Sequence, residues 1–250
     1  MRKQERLNEI LNLINKIGTV YVQDIMDNMN VSDMTVRRDL MELEEKGLII
    51  RIRNGATANQ QPNYRELPHE EKLMQNIILK RQIAKKAIKF IEEGDTIFLG
   101  PGTSIELLAE EITTKELRVI TNCLPVFHEL SKKKSDKFKV ILLGGEIRDT
   151  TQAFVGEIPN SIIGKMHFNK MFFSGNGIAN GLVKASSFDE AYTQKKALER
   201  STEGYLLIDS SKIGKEDFTS ICSLEKITAI IIEDNSEVDY SELKNYTKVL

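Results

Sequence analysis

Apolar side chains recur at helical spacing in three successive stretches near the start of the chain. The first stretch predicts a helix over residues 2–17 that ends at Gly18, and the second predicts a brief helix over residues 22–29. In the third stretch Ser32 is a favourable N-cap, and the helix is expected to run to about Lys46, before Gly47. Its apolar stripe consists of Val36, Leu40 and Leu43.

The alternating, β-branched segment after this third helix predicts a hairpin. It reads LIIRIRNGAT, in which Asn54-Gly55 is a favourable two-residue turn. Three helices followed by a hairpin are the order of a winged helix-turn-helix. We therefore expect that fold over residues 1–57.

The face of the third helix opposite its apolar stripe carries adjacent arginines and small polar groups. Such a face suits insertion into a DNA major groove, where arginine recognises guanine. Arginines on the wing would lie within reach of phosphates or a minor groove. For the helix alone, an ordinary solvated basic turn is the alternative. The predicted DNA-binding residues are Ser32, Asp33, Met34, Thr35, Arg37, Arg38, Arg51 and Arg53.

A polar stretch with Pro62 and Pro68 predicts a linker over residues 58–76. A helix with an apolar face follows and is expected to end at Gly94, with its lysines and Arg81 forming a solvated face. Strand-like runs and helices then alternate, which predicts a mainly parallel α/β domain over residues 77–250. The strand-like runs are 96–99, 119–121, 138–143, 171–173, 205–208 and 229–232.

Ligands of open α/β sheets bind beyond the carboxyl ends of the strands, and here several of those ends are rich in Gly, Ser and Thr. The loop of residues 100–106 precedes a helix start, where free amides favour an anion, and Thr103 with Glu106 has the spacing of a capping box. Plain turn chemistry at each strand end is the alternative. The predicted effector-binding residues are Gly100, Gly102, Thr103, Ser104, Asn122, Arg148, Asn176, Asp189, Glu190 and Lys212.

The balance of charged residues limits how the chain can bind DNA. The net charge is −2, and the first 57 residues hold nine Lys/Arg against nine Asp/Glu, so DNA binding must depend on where the cations lie. The chain is charged from its second residue and no apolar run is long enough for a membrane span, so we expect no signal peptide and a cytoplasmic protein. Cys123 and Cys222 are expected to be reduced structural thiols, and three scattered histidines predict no metal site.

The N-terminal region holds a long spaced pattern made of Arg6, Ile10, Ile14, Ser32, Thr35, Val36, Arg37, Arg38, Asp39 and Leu40. This pattern resembles the DeoR family of bacterial repressors. Further motifs, GPGTS, ITNCLPVF, LLGGEIR, AFVGE, DEAYTQ and LIDSSKIGKEDFTS, resemble the lactose branch of that family, apart from Ser104 in place of threonine. The resemblance implies a sensor domain related in fold to ribose-5-phosphate isomerase, a sugar phosphate effector and no cofactor. For the lactose branch the effector is tagatose 6-phosphate.

The expected function is therefore a homo-oligomeric repressor, dimer or tetramer, that leaves operator DNA when a sugar phosphate binds. Regulation of another phosphotransferase-sugar operon is one alternative. A working phosphosugar isomerase is the other, and it requires a base close to a C–H proton. The isomerase relatives carry an acidic run at a strand end where this chain reads Phe173-Ser174-Gly175-Asn176-Gly177, which disfavours catalysis. Asp189, Glu190 and Asp209 remain as candidate bases.

Overall fold

The computed structural model describes residues 3–46, 48–58 and 66–250. The chain divides into two compact units, residues 1–65 and 66–250. In the described part, no helix has the length and apolar character required to cross a bilayer.

The described residues of the first unit form three helices and three short strands. Its buried face is formed by the predicted apolar positions, including Ile10, Val36 and Leu40, each at most 2% exposed. The second helix ends where Asn30 adopts a left-handed conformation, with φ of 51°. Gly47, the expected end of the third helix, lies outside the described residues. The elements are α1 Lys3–Ile17, β1 Thr19–Tyr21, α2 Val22–Met29, α3 Asp33–Glu45, β2 Ile49–Ile52 and β3 Gly55–Ala58.

The wing differs from the sequence prediction in its turn and in its number of strands. Ile52 pairs with Gly55, so the two-residue turn is Arg53-Asn54 and not Asn54-Gly55. Strand β1 pairs with β3 and completes a three-stranded antiparallel sheet. A Cβ on Gly55 would lie 2.4 Å from the Val20 carbonyl oxygen, so Gly55 permits this close pairing of β1 instead of forming the turn.

The second unit is organised around a seven-stranded sheet in which every neighbouring pair is parallel. All six predicted strand-like runs belong to it, and the two-residue strand β15 was not predicted. The strand order is β15-β14-β12-β9-β4-β5-β6. These strands are β4 Thr96–Leu99, β5 Leu117–Thr121, β6 Phe138–Leu142, β9 Phe168–Phe173, β12 Ser201–Leu207, β14 Ala229–Ile231 and β15 Lys248–Val249.

Two smaller antiparallel sheets were not predicted. One comprises β7 Glu146–Arg148 and β8 Ala153–Val155, and the other comprises β10 Gly177–Ala179, β11 Leu182–Ala185 and β13 Thr219–Ser223. The helices are α4 His69–Met74, α5 Ile77–Ala87, α6 Thr103–Glu111, α7 Leu124–Ser131, α8 Glu157–Ile163, α9 Phe188–Glu199 and α10 Ser241–Lys244.

The seven-stranded sheet is apolar on both faces. Ile97 and Leu99 belong to one buried cluster, whereas Phe98 between them belongs to a second. This alternation follows from the two-residue period of a strand and leaves both faces covered, as in parallel sheets generally. Cys123 and Cys222 lie free in these interiors, and burial raises the pKa of each thiol to about 12.

Three expectations for the region before the sheet were wrong. Residues 66–76 are not linker, because they belong to the second unit and contain α4. The following helix, α5, ends at Ala87 and continues only as a short 3-10 helix to Phe90. Its Lys80 is 3% exposed instead of solvated, and its ammonium donates to the Lys72 carbonyl oxygen.

Candidate functional site

The exposed face of α3 is built as the sequence predicts. The Ser32 hydroxyl accepts a hydrogen bond from the Thr35 amide at 3.4 Å, which satisfies one donor of the first helical turn. Met34 is 72% exposed, and Arg37 and Arg38 are also exposed. The Arg37 Nε atom lies 2.6 Å from Asp33 Oδ1, and this hydrogen bond raises the pKa of Arg37. Asp33 therefore orients Arg37.

An ion pair fixes α3 against α1. The Arg6 guanidinium donates to both carboxylate oxygens of Asp39, at 2.5 and 3.1 Å. The Asp39 side chain is 1% exposed and that of Arg6 is 13% exposed. Both residues carry the family resemblance, and the structure shows that their contact sets the position of the exposed face.

The wing arginines are exposed but differ in their surroundings. The Arg51 guanidinium lies 3.5 Å from the Glu44 carboxylate, which also accepts from the Arg51 amide at 3.1 Å. Arg53 lies in the turn between β2 and β3 and has no acidic partner among the residues with described positions. Of the predicted DNA-binding residues only Thr35 is partly buried, and its hydroxyl lies 3.0 Å from that of Ser32.

In the second unit, a polar pocket opens where β4 and β9 end. The loops after these strands contribute Gly102 and Asn176, and helix α9 contributes Glu190. Of the ten predicted effector-binding residues, five line this pocket: Gly102, Thr103, Asn176, Glu190 and Lys212. The lining residues that were not predicted include Glu66, His69, Lys72, Thr151, Ser174, Ser186 and Gln194.

Arg148 lies directly behind the pocket wall and links two of its carboxylates. Its guanidinium donates to Glu190 at 2.6 Å and to Glu66 at 2.8 Å. Glu190 also accepts from the Thr151 hydroxyl at 2.9 Å. Burial raises the pKa of Glu190, and the charge of Glu66 raises it further. Two carboxylates therefore share one guanidinium.

The remaining predicted residues take other positions. Gly100 and Ser104 are buried beneath the pocket. Asn122 is fully buried, and its amide donates to the Phe154 carbonyl at 2.8 Å, which ties β8 to the end of β5. Asp189 is exposed on α9 and does not line the pocket. Asn122 thus connects two strands and Asp189 faces solvent, so neither residue lines the pocket.

The predicted capping box at the start of α6 is wrong. Gly102 is the N-cap residue, with φ of 136°, and no side chain caps this helix. The Glu106 carboxylate instead lies 2.6 Å from His69 Nε2, because the segment before α5 packs here. At α9 the Ser187 hydroxyl does accept from the Glu190 amide, while the Glu190 carboxylate contacts Arg148. The first amides of α6 thus face the pocket without a side-chain cap.

Lys212 is one of the cations that line the pocket. Its ammonium donates to the Gly175 carbonyl oxygen at 2.8 Å. Burial lowers its pKa to about 8; nearby lysines add to this effect, and Asp209 opposes it. The Asp209 carboxylate accepts from Asn76 at 3.1 Å and from the Ser211 hydroxyl.

Sequence reasoning missed Glu66, His69 and Lys72 because their polar, proline-containing stretch was assigned to the linker. The carboxylate of Glu66 and the imidazole of His69 do not form a recognisable motif, since each has a partner far along the chain. Glu66 and Arg148 are 82 positions apart. The acidic start of α4 was the available signal that a helix begins there.

A winged helix-turn-helix followed by an α/β domain with a charged pocket defines the class of DNA-binding regulators that carry a sensor domain. Family models match both parts: a DeoR-like helix-turn-helix domain over residues 6–62 and a DeoR C-terminal sensor domain over residues 75–234. The chain belongs to the DeoR family.

Curated relatives match over the full length of both chains. Proteins named lactose phosphotransferase system repressor are 57% identical in Streptococcus mutans, 52% in Staphylococcus epidermidis and 51% in Staphylococcus aureus, each over 250 residues. Similar solved structures include ribose 5-phosphate isomerase A from Methanocaldococcus jannaschii, at 16% identity and a TM-score of 0.41, covering 56% of this chain and 55% of that one. Translation initiation factor eIF-2B from Pyrococcus horikoshii has 12% identity and a TM-score of 0.42, with 93% and 82% covered.

Proposed function

We propose that this chain is the repressor of a lactose-catabolic operon, and that a sugar phosphate, tagatose 6-phosphate, releases it from operator DNA. The observation that carries this proposal is identity above 50% over the full length to relatives that are named lactose phosphotransferase system repressors. We further propose that it acts in the cytoplasm as a homo-oligomer, dimer or tetramer. Paired copies of α3 would then contact two operator half-sites.

The chemistry of the pocket supports a phosphorylated ligand. Lys72, Arg148 and Lys212 bring three cationic side chains to one place, and the uncapped start of α6 adds backbone amides. Asn176 and Glu190 offer hydrogen-bonding groups for sugar hydroxyls. Such a mixture of cations and hydrogen-bonding groups fits a polar anion.

The effector half of the proposal is tested by titrating the full chain with tagatose 6-phosphate, and with other hexose and pentose phosphates as controls. We expect tagatose 6-phosphate to raise the unfolding temperature, because a ligand that binds only the folded state stabilises it. The same compound should release operator DNA selected by this chain from a random pool. A panel without any stabilising phosphosugar would contradict the proposal.

The DNA half is tested with two alanine variants. Arg37→Ala removes a proposed base contact, so it should lower the preference for operator over scrambled DNA by about tenfold to a hundredfold. Arg53→Ala removes a proposed phosphate contact and should weaken binding to both DNAs equally, with a shallower salt dependence. Equal losses on both DNAs for Arg37→Ala would reject its role in sequence reading.

We propose regulation without catalysis. Among the described residues, the carboxylates that line the pocket, Glu66 and Glu190, are both bonded to Arg148. The Asp209 carboxylate accepts hydrogen bonds from Asn76 and Ser211. A carboxylate held in this way is poorly placed to accept a carbon-bound proton. Steady-state assays with aldose and ketose phosphates should show no isomerisation, and measurable turnover would overturn this view.

A further inference from the structure

The carboxylate of Glu66 lies in a site made of phosphate-binding groups. Its two oxygens accept from the Lys72 ammonium at 2.6 Å and from the Arg148 guanidinium at 2.8 Å. The Ser186 hydroxyl donates to the same carboxylate. Only 7% of the Glu66 side chain is exposed. Lysine, arginine and a hydroxyl are the donors with which proteins bind phosphate oxygens, so a phosphate and this carboxylate would compete for the same partners.

The pocket has little space while Glu66 is in place. Its cavity volume is about 40 Å³, enough for a few water molecules. Ligand pockets are on the order of 300–1,000 Å³, so a sugar phosphate requires a side chain to leave. Lys72 and Arg148 would be needed to neutralise the incoming charge. The departing group should therefore be an acid.

Two acids contact Arg148, and they differ in the backbone that carries them. Glu190 is in the first turn of the twelve-residue helix α9. Glu66 precedes α4, which has only six residues, and it is the first residue of the second compact unit. The chain on the N-terminal side of Glu66 leads to the DNA-binding unit. Glu66 can thus leave without disturbing a long helix.

We propose that Glu66 is a built-in competitor of the effector: its carboxylate occupies the phosphate position between Lys72 and Arg148, and the effector must displace it. This inference rests on the proposed function and names its regulatory step. Displacement of Glu66 frees the start of the second unit and thereby transmits binding to the chain that precedes it. The docked carboxylate favours the operator-binding state, and the bound phosphate favours release.

Electrostatics supports displacement over simple addition. Burial raises the pKa of Glu66, but the Lys72 ammonium, Ser186 and the Arg148 guanidinium together outweigh burial and lower it to about 2. Glu66 is therefore charged at neutral pH. A phosphate beside both Glu66 and Glu190 would place three acidic groups around Arg148, which like-charge repulsion disfavours. When one carboxylate leaves, two acidic groups remain around Arg148, as many as in the pocket without effector.

The test compares Glu66→Gln with the wild-type full chain by calorimetric titration with tagatose 6-phosphate and, in parallel, with inorganic phosphate. Glutamine keeps the shape and removes the competing charge, so we expect both ligands to bind about tenfold more tightly, as when the wild-type pocket is open in roughly one molecule in ten. The effector-free variant should also bind selected operator DNA more weakly. Glu71→Gln, at an exposed glutamate of the adjacent helix α4, is the matched control and should behave as wild type.

The outcomes separate this inference from the proposed function. If wild type binds tagatose 6-phosphate and Glu66→Gln binds it equally or more weakly, the competitor role is rejected and the effector assignment stands. If wild type binds neither ligand, both proposals fail. Thermal unfolding shows whether Glu66→Gln is folded. Should it not be, Glu66→Asp keeps the charge on a side chain one methylene shorter, and ligand binding no tighter than wild type would reject the competitor role.

Discussion

At the scale of single residues, ion pairs decide what each predicted side chain can do. Arg37 and Arg53 are both exposed arginines, yet Asp33 orients Arg37 at 2.6 Å. Glu190, predicted for sugar hydroxyls, is bonded to Arg148. The sequence selects residue types, whereas the partner of each residue decides whether it is held in place or available to a ligand.

Lys212 should make effector binding depend on pH. Its lowered pKa of about 8 means that its ammonium loses a proton as the pH rises through that value. If the ammonium binds the phosphate, the Kd of tagatose 6-phosphate should rise about tenfold between pH 7 and 9, because binding then requires protonation. Calorimetric titration across this range measures it.

Lys212→Met should remove this pH dependence and weaken binding at pH 7, whereas the exposed Lys244→Met should leave both unchanged. If the Kd of the wild type did not change with pH, the contact between Lys212 and the phosphate would be excluded.

The same lowered pKa determines the direction in which the free energy of unfolding changes with pH. Between about pH 8 and the ordinary lysine value of 10.5, the unfolded state binds more protons. The stability cost of burying Lys212 is therefore full below pH 8 and declines as the pH rises.

At the scale of elements, hydrophobic periodicity predicted whether a helix or a strand is present more reliably than it predicted where each element ends or how the strands pair. Helix α3 has its predicted cap and apolar stripe. The wing has a different turn because β1 approaches Gly55 closely, a contact that no local pattern contains. Helix α5 ends earlier than expected, and α4 lies in a stretch whose polar composition suggested a linker.

Gly55→Ala should loosen the wing. The new Cβ would lie 2.4 Å from the Val20 carbonyl oxygen, a backbone atom that can move only if β1 separates from β3. Forcing extra atoms into a close contact costs about 1–3 kcal/mol. We expect faster hydrogen exchange of the β1 and β3 amides and weaker operator binding.

Gly144→Ala is the matched control for this change, because no atom lies within 4 Å of its added Cβ and its φ is not left-handed. It should leave the exchange of these amides and the affinity for DNA as in wild type. Unaltered exchange in Gly55→Ala would show that β1 does not constrain the wing.

At the scale of the whole molecule, the chain joins a DNA-binding unit to a sensor unit, each with its own buried core. Neither unit explains regulation by itself. A repressor requires that occupancy of the pocket changes the free energy of DNA binding. Because such a coupling is a property of the complete molecule, it is measured on the full chain.

The proposed coupling must be reciprocal. If tagatose 6-phosphate weakens operator binding, operator DNA must weaken tagatose 6-phosphate binding by the same factor, which is commonly about 5- to 150-fold. Titrating the effector into the free protein and into the protein–operator complex measures one factor. Titrating operator DNA into the protein with and without effector, at the same salt concentration, measures the other. Unequal factors at equilibrium would show that the two ligands act on different oligomeric species.

The sequence by itself determined local elements: the cap and apolar stripe of α3, its exposed arginine face, and the succession of six strands along the chain. These features depend on contacts between residues a few positions apart, so they leave periodic patterns. Only the tertiary structure decided which residues that are distant in the sequence form ion pairs. Arg6 meets Asp39 across 33 positions, and Glu66 meets Arg148 across 82. Such contacts arise from chain topology and desolvation, which leave no pattern in local spacing. For that reason five of the ten predicted effector-binding residues do not line the pocket.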